Sequence, residues 1–302
     1  ITDIINELRP VKKNVAELRR LSGDTEFNVN SPKQVGNLLF NVLHLPKVSG
    51  YSTSKEVLET LKSKHPAVEL ILDCRQKEKM RSTYIYGILQ RLSKDGRLRG
   101  SFLLHGTKTG RLASRNPNLQ NIPVLVGPVI RDAFVSSPGW TLIEADYSQL
   151  ELRVAAWYSQ DPLLLEYYRT DQDVHRMVAA EVFGVPAEEV TQMQRYIAKY
   201  IDFGIIYGRQ AESLAKGELQ CSVREAQEYL DSFLSRFKGL ARWMKKVQKQ
   251  ILEKGYIETP LGRRRRFPFL SNINRAESLR QGVNAPIQSL ASDICLSSLI
   301  RL

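Results

Sequence analysis

Four side chains spaced four residues apart, Arg195, Lys199, Phe203 and Tyr207, run directly into Gly208. On an α-helix each such step advances about 6 Å and rotates by about 40°. The four therefore lie along one slowly turning stripe. An ordinary amphipathic helix sorts apolar and charged residues onto opposite faces; here cations and aromatics share a face. Two cations one turn apart match the charge spacing of a polyphosphate, and an aromatic ring one turn further on can stack on a base. Ile197, Ile201 and Ile205 are left for the core. The plainer reading, core aromatics with solvated cations, fits this shared stripe less well.

Charge points the same way. The 302 residues carry 44 Lys and Arg against 32 Asp and Glu, a net charge of +12. The excess is concentrated. Arg75–Arg115 holds eleven cations and two acids, net +9, and Ala241–Arg266 holds nine and two, net +7, so the remainder is mildly acidic. Two basic stretches on such a background point to a polyanionic partner, although two solvated helix faces would give the same count. The length corresponds to about two domains. Cys74, Cys221 and Cys295 are odd in number and far apart, which argues against a disulfide framework or a zinc site and favours a reducing compartment. No apolar run approaches the ~18 residues of a membrane span. The opening Ile-Thr-Asp-Ile-Ile-Asn-Glu lacks the features of a signal peptide, and without a starting Met it implies residues upstream.

Along the chain, Val11, Val15, Leu18 and Leu21 recur at helical spacing within a helical region over 1–48. Ser31 precedes Pro32, a cap followed by a first-turn proline. After the polar loop 50–54, Ser54 caps a helix whose apolar stripe runs through Val57, Leu58 and Leu61 and on to Val68, Ile71 and Leu72. Residues 97–145 read as short strands and loops, with Trp140–Asp146 a strand ending in an acid. Helices dominate from 149 to 302, interrupted near Gly184–Pro186, at Gly208 and over 260–268. Helical, mixed and again helical segments give an α+β chain with lobes.

Three further constellations carry chemistry. Asp146-Tyr-Ser-Gln-Leu-Glu151-Leu-Arg153 places an acid between a strand and a helix, where it can present a divalent cation to a phosphate; taken alone, Asp146 reads better as a helix N-cap. Arg280, Asn284 and Gln288 share one helix face and suit hydrogen bonds to base edges or sugars, although Pro286 can kink that helix. Residues 106–123 form a Gly-rich, basic, amide-rich loop without the Gly-Lys-Ser/Thr order of a Walker A loop. His105 and His175 lack partners at metal spacing and read as surface or packing residues.

Together these motifs, with Thr109-Gly-Arg-Leu-Ala-Ser, Asn118-Leu-Gln-Asn-Ile-Pro and Gly262-Arg-Arg-Arg, closely resemble those of the family A DNA polymerases of the bacterial DNA polymerase I type, in family order along nearly the whole chain. The resemblance implies a multidomain right-hand α+β fold, with helical thumb and fingers around a partly complete antiparallel palm sheet. Residues 1–83 would be thumb, 84–162 the first part of the palm, 163–280 fingers and 281–302 the return into the palm. It implies template-directed DNA synthesis from dNTPs at a primer 3′-OH with two Mg²⁺ ions. By family role Asp146 and Lys199 are catalytic, and Asp146 with the Tyr147 carbonyl binds metal. Ser148, Gln149, Glu151, His175, Arg195, Lys199, Phe203 and Tyr207 bind the nucleotide. Lys79, Arg111, Asn118, Gln120, Asn121, Arg280, Asn284 and Gln288 contact primer-template DNA. Glu151, near Tyr207, resembles the steric gate against a ribose 2′-hydroxyl. His175 thereby gains a phosphate-binding role that spacing alone did not give it. Phe203, where some members carry Tyr, implies discrimination against dideoxynucleotides. A monomer in the cytoplasm of a bacterial or phage-infected cell is expected.

The sequence also departs from the family pattern. The His-Asp-Glu triplet that supplies the second catalytic Asp has no match, and no acid follows Asp293, so the chain as written is expected not to extend a primer. Ser289-Leu290 follows Gln288 where Gly and then Ser or Thr are usual. Asp202 precedes Phe203 where Asn is common. Arg263–Arg266 lengthens a run of three arginines to four, an added electrostatic contribution to DNA affinity. Two other classes compete: a catalytically inactive polymerase-like DNA-binding module, disfavoured by Asp146, Lys199 and Glu151, and a single-subunit RNA polymerase, disfavoured by Glu151.

Overall fold

The computed structural model describes residues 11–122 and 128–302. Of the expected elements, the first ten residues of the helical region 1–48 lie outside that range. The described chain is mostly helical with two small sheets, and it divides into two compact units, residues 1–102 with 114–143 and residues 103–113 with 144–302.

The first unit is built from helices α1 (Val11–Ser22), α2 (Pro32–Gly36), α3 (Lys55–Leu61) and α4 (Pro66–Lys79). Ser31 accepts from the Gln34 amide and Ser54 from the Val57 amide, so both expected caps form. The single helix expected from Ser54 to Leu72 is two helices. Pro66 removes a backbone donor and starts α4, with the His65 ring accepting from the Ala67 amide. Leu18, Val35, Leu38, Leu58, Leu61, Val68 and Ile71 are fully or almost fully buried in one core. Arg75 of α4 ties that core to its loops, donating to the Val29 carbonyl at 2.8 Å and the Thr53 carbonyl at 2.5 Å. Strand β1 (Ser101–Leu103) pairs with β2 (Ala113–Arg115). A cavity of about 620 Å³ lies between Tyr84, Ile88, Leu92, Leu98, Phe134 and Pro138, and none of the expected site residues lines it.

The second unit comprises helices α5 (Leu150–Ser159), α6 (Pro162–Arg169), α7 (Val174–Phe183), α8 (Gln192–Ile206), α9 (Val223–Arg236) and α10 (Lys238–Lys254), the ribbon β3 (Tyr256–Glu258) and β4 (Arg264–Arg266), and the 27-residue α11 (Arg275–Arg301). β3 and β4 run antiparallel with Ile257 opposite Arg265. Ile201, Ile206, Leu214, Phe233 and Phe237 are sealed in the core, and each such side chain contributes roughly 1.5–3 kcal/mol by leaving water. Helix α11 continues through Pro286 without interruption.

A single buried carboxylate joins two of these helices. Asp161, 1% exposed, caps α6 by accepting from the Leu163 and Leu164 amides at 3.2 and 3.4 Å. Its other oxygen accepts from the Gly239 and Leu240 amides at 2.7 and 3.3 Å. Helix α10 has no cap of its own, so Asp161 serves the first turns of both. Only glycine fits at 239, because a Cβ there would lie 2.7 Å from the Asp161 Cα.

The strand expected over 140–146 does not form. Trp140 is 77% and Ile143 89% exposed, and no strand among the described residues pairs with this stretch. Among the described residues its β-prone sequence has no strand with which to exchange backbone hydrogen bonds, and a strand without a partner has no independent stability.

Candidate active site

Helix α8 carries the stripe that the spacing demanded. Thr191 and Gln194 close a capping box at its start, and the chain leaves it at Tyr207 and at Gly208, whose φ is +64°. Ile201 and Ile205 are buried and Ile197 packs at the core edge, while Lys199 and Tyr207 are exposed. The Phe203 and Tyr207 rings stack at 6.4 Å with 26° between planes. Arg195 is held by Asp173, the N-cap of α7, with Nε 2.7 Å from Oδ2. Burial raises the Asp173 pKa, but Arg195 and the Arg176 amide outweigh it and hold the carboxyl below its usual range.

The end of this stripe meets two other segments. The Tyr207 hydroxyl donates to Glu151 of α5, and the Arg111 guanidinium pairs with the same carboxylate. Burial, together with the Glu151 hydrogen bond, pushes the Tyr207 hydroxyl pKa up. Arg111 is aimed by its neighbour. Gly110, at φ +82°, lies so close to the Arg263 guanidinium that a Cβ would fall 2.4 Å from its Cζ, and Ser292 donates to the Gly110 carbonyl at 2.9 Å. Arg263 is fixed in turn by Asp293 at 2.8 Å. Residues 111, 151 and 207 thus converge through three separate backbone anchors.

Asp146, Tyr147 and Ser148 are exposed. Asp146 does not cap α5, which corrects the plainer reading of that residue: Gln149, at φ +54°, holds the cap position without a side-chain cap bond, and its Oε1 accepts from Tyr168 at 3.2 Å. The Tyr147 hydroxyl bonds Ser298 at 2.6 Å. No group of three or more His, Cys, Asp or Glu side chains suited to a metal occurs among the described residues. A pair of ions held between several carboxylates has no such cluster among the described residues.

On α11, Arg280 packs on Gly208, where a Cβ would meet its Cβ at 2.8 Å, and Asn284 donates to the Ile206 carbonyl at 3.2 Å. Both thereby brace the end of α8. Gln288 is half-buried and Ser289 is sealed, so the Ser289 side chain does not protrude. The four-arginine run is partly neutralised: besides Arg263 with Asp293, Arg264 pairs with Glu258, while Arg265 reaches Gln281 and covers the Phe267 ring at 5.0 Å. The remaining expected DNA contacts belong to the first unit. Lys79 is exposed at the end of α4. Asn118 caps the short turn 119–121 through the Gln120 amide, Gln120 accepts from the Ser114 amide, and Asn121 is exposed.

The sequence profile of DNA polymerase family A matches residues 4–302. The chain belongs to DNA polymerase family A. DNA polymerase I of Geobacillus stearothermophilus is 40% identical over 311 residues, covering 99% of this chain and 35% of its own length. DNA polymerase I of Treponema pallidum is 42% identical over 286 residues, 92% of this chain and 29% of its own. The chain thus spans about a third of the length of the curated relatives it matches. Among solved structures, the POL domain of Pol1 from M. smegmatis, in complex with DNA primer-template and dNTP, superposes with a TM-score of 0.86 at 34% identity, covering 97% of this chain and 54% of that one.

This family A chain also holds polar contacts near these segments that spacing did not single out. His175 is 4% exposed, and its Nδ1 lies 2.7 Å from Oδ2 of Asp202 on α8. Read alone in the sequence, His175 was a surface or packing residue; it is in fact one half of a buried polar pair. The only sequence signal was the Asp beside Phe203. Arg153, which donates to the Ser148 carbonyl and covers the Tyr168 ring at 4.6 Å, likewise braces the Asp146 segment.

Proposed function

We propose that this chain is polymerase machinery for template-directed DNA synthesis that binds primer-template DNA, with the dNTP held in the second unit. The observation that carries the reading is the convergence of Arg111, Glu151 and Tyr207 at the end of the Arg195–Lys199–Phe203 stripe. Cations one turn apart suit the triphosphate, and the stacked rings suit the base. Glu151, locked between Tyr207 and Arg111, fills the space where a 2′-hydroxyl would sit. Arg280, Asn284 and Gln288, with Lys79, Asn118, Gln120 and Asn121, would face the primer-template, and Ser148 and Gln149 the nucleotide. In this reading 1–83 is thumb, 84–162 palm, 163–280 fingers and 281–302 the return to the palm of a right-hand polymerase that works as a monomer in the cytoplasm. No described helix is long and apolar enough to cross a membrane.

Mg²⁺ is the ion such chemistry would use, with Asp146 and the Tyr147 carbonyl as donors. The residues described do not complete a two-ion site. The protein's own share is positioning and charge. Incubated alone with primer-template, dNTPs and Mg²⁺, the chain is expected not to extend the primer; incorporation that Asp146→Ala abolishes would contradict this.

The gate supplies the test. In a complex with a dideoxy-terminated primer-template, Glu151→Ala is expected to narrow the preference for a dNTP over the matching rNTP by roughly ten-fold, within the 1–3 kcal/mol of one small group in a packed pocket. An unchanged ratio removes Glu151 from that role.

A further inference from the structure

The buried His175–Asp202 pair poses a proton question. Its hydrogen bond spans α7 and α8 at 2.7 Å, with His175 4% and Asp202 1% exposed. Asp202 Oδ1 is buried without a partner. His175 Nε2 makes no hydrogen bond among the described residues and is not among the sealed, unsatisfied atoms. The charged and titratable groups around the pair come from four helices: Asp173 at the start of α7, bound to Arg195 of α8; Tyr168 of α6; and Arg153 of α5 over the Tyr168 ring. Phe203 lies against the His175 ring at 5.8 Å.

An imidazole facing a carboxylate must place a proton between them, since two bare acceptors repel. While the pair holds two protons, one between the partners and one on Nε2, it can be written either as imidazolium with carboxylate or as imidazole with carboxylic acid, and Nε2 is a donor in both. When one proton leaves to solvent, the remaining proton stays on Nδ1 opposite Asp202, and Nε2 becomes a bare acceptor. An amide at 202 behaves differently. Its NH₂ can donate to Nδ1, so the neutral ring keeps its Nε2–H as the pH rises.

We propose that Asp202 is a positioning residue that makes His175 a hydrogen-bond donor to a phosphate oxygen of the bound nucleotide only while the pair keeps both of its protons. The inference rests on the polymerase reading for its ligand and goes beyond it in assigning Asp202 a role. Burial pushes the Asp202 carboxyl up to about 6, against the downward pull of His175, so proton sharing within the pair is physically accessible. Nucleotide affinity is then full at low pH and declines as pH rises past the loss of the first proton, by about ten-fold per pH unit for a one-proton linkage.

The experiment measures the dissociation constant of the complementary dNTP from the full chain on a dideoxy-terminated primer-template, from pH 6 to 9.5. It compares the natural chain with Asp202→Asn and His175→Gln. The same samples, ¹⁵N-labelled at histidine, report the Nδ1 and Nε2 shifts of His175, assigned by the signal missing in His175→Gln. The expected result is an alkaline loss of affinity in the natural chain that both variants lack, matched by a one-proton change in the His175 spectrum. An alkaline loss equal in the natural chain and Asp202→Asn, or a flat natural profile, overturns the role of Asp202 while leaving the polymerase reading standing. Absence of dNTP binding at every pH in the natural chain overturns that reading and, with it, this inference. If Asp202→Asn does not fold, a His175 ring that shows no proton change over this range in the natural chain still overturns the proposal.

Discussion

Lys199→Ala is expected to weaken dNTP binding to the chain–DNA complex by about 10- to 100-fold, the 1.5–3 kcal/mol of a hydrogen bond to a charged group. Lys199 is exposed on α8, one turn from Arg195 and one turn from Phe203, and it makes no ion pair among the described residues. Its removal therefore breaks nothing that holds the fold. Duplex affinity is expected to stay within about two-fold, as for other surface substitutions that leave the packing untouched. The contrast matters because general loss of positive charge would weaken both ligands. Parallel titrations of dNTP and of primer-template decide it, and equal losses would remove Lys199 from the phosphate site.

Asp161→Ala is expected to destabilise the second unit by about 3 kcal/mol, from two helix starts that each lose a cap worth roughly 0.5–2 kcal/mol and from amides left buried without an acceptor. For a unit of this size that lowers Tm by roughly 6–12 °C. Four backbone amides depend on the one carboxylate, and a Cβ at Gly239 would collide with Asp161, so the two helix starts are packed directly against each other. Asp161→Asn separates the two halves of the role. Its carbonyl can still cap α6, but its NH₂ then opposes the Gly239 N–H, so an intermediate loss is expected. Thermal melts of the three proteins measure this. An Ala variant that melts with the natural chain would show that the double cap contributes nothing.

Local signals in the sequence translated directly into structure. Ser31 and Ser54 cap where short-range chemistry says they should, and the spacing of Arg195 to Tyr207 forms one helix ending at Gly208. Pro66 shows where a continuous apolar stripe misleads: hydrophobic spacing survived, but the missing amide broke the helix. Pro286 shows the reverse, since α11 buries its neighbours on both sides and continues through it.

What the sequence hid was long-range. Asp161 drew no reading from the sequence, and its second pair of amides lies 78 residues and more away. Asp202 reads as a neighbour of Phe203, because its partner sits 27 residues back on another helix. Arg111 reads as a cation in a loop, because only the folded chain brings Gly110 against Arg263 and Arg111 to Glu151. Trp140–Asp146 has the pattern of a strand, yet that pattern describes a face, and a strand also needs a partner edge.

The second unit is proposed to bind a nucleotide chosen by a template. The most direct measurement titrates the chain on a dideoxy-terminated primer-template with each of the four dNTPs in turn, following DNA release. The prediction is that only the dNTP complementary to the templating base slows release, and that changing that base moves the effect to its new partner. Equal effects of all four nucleotides, or none, would contradict it.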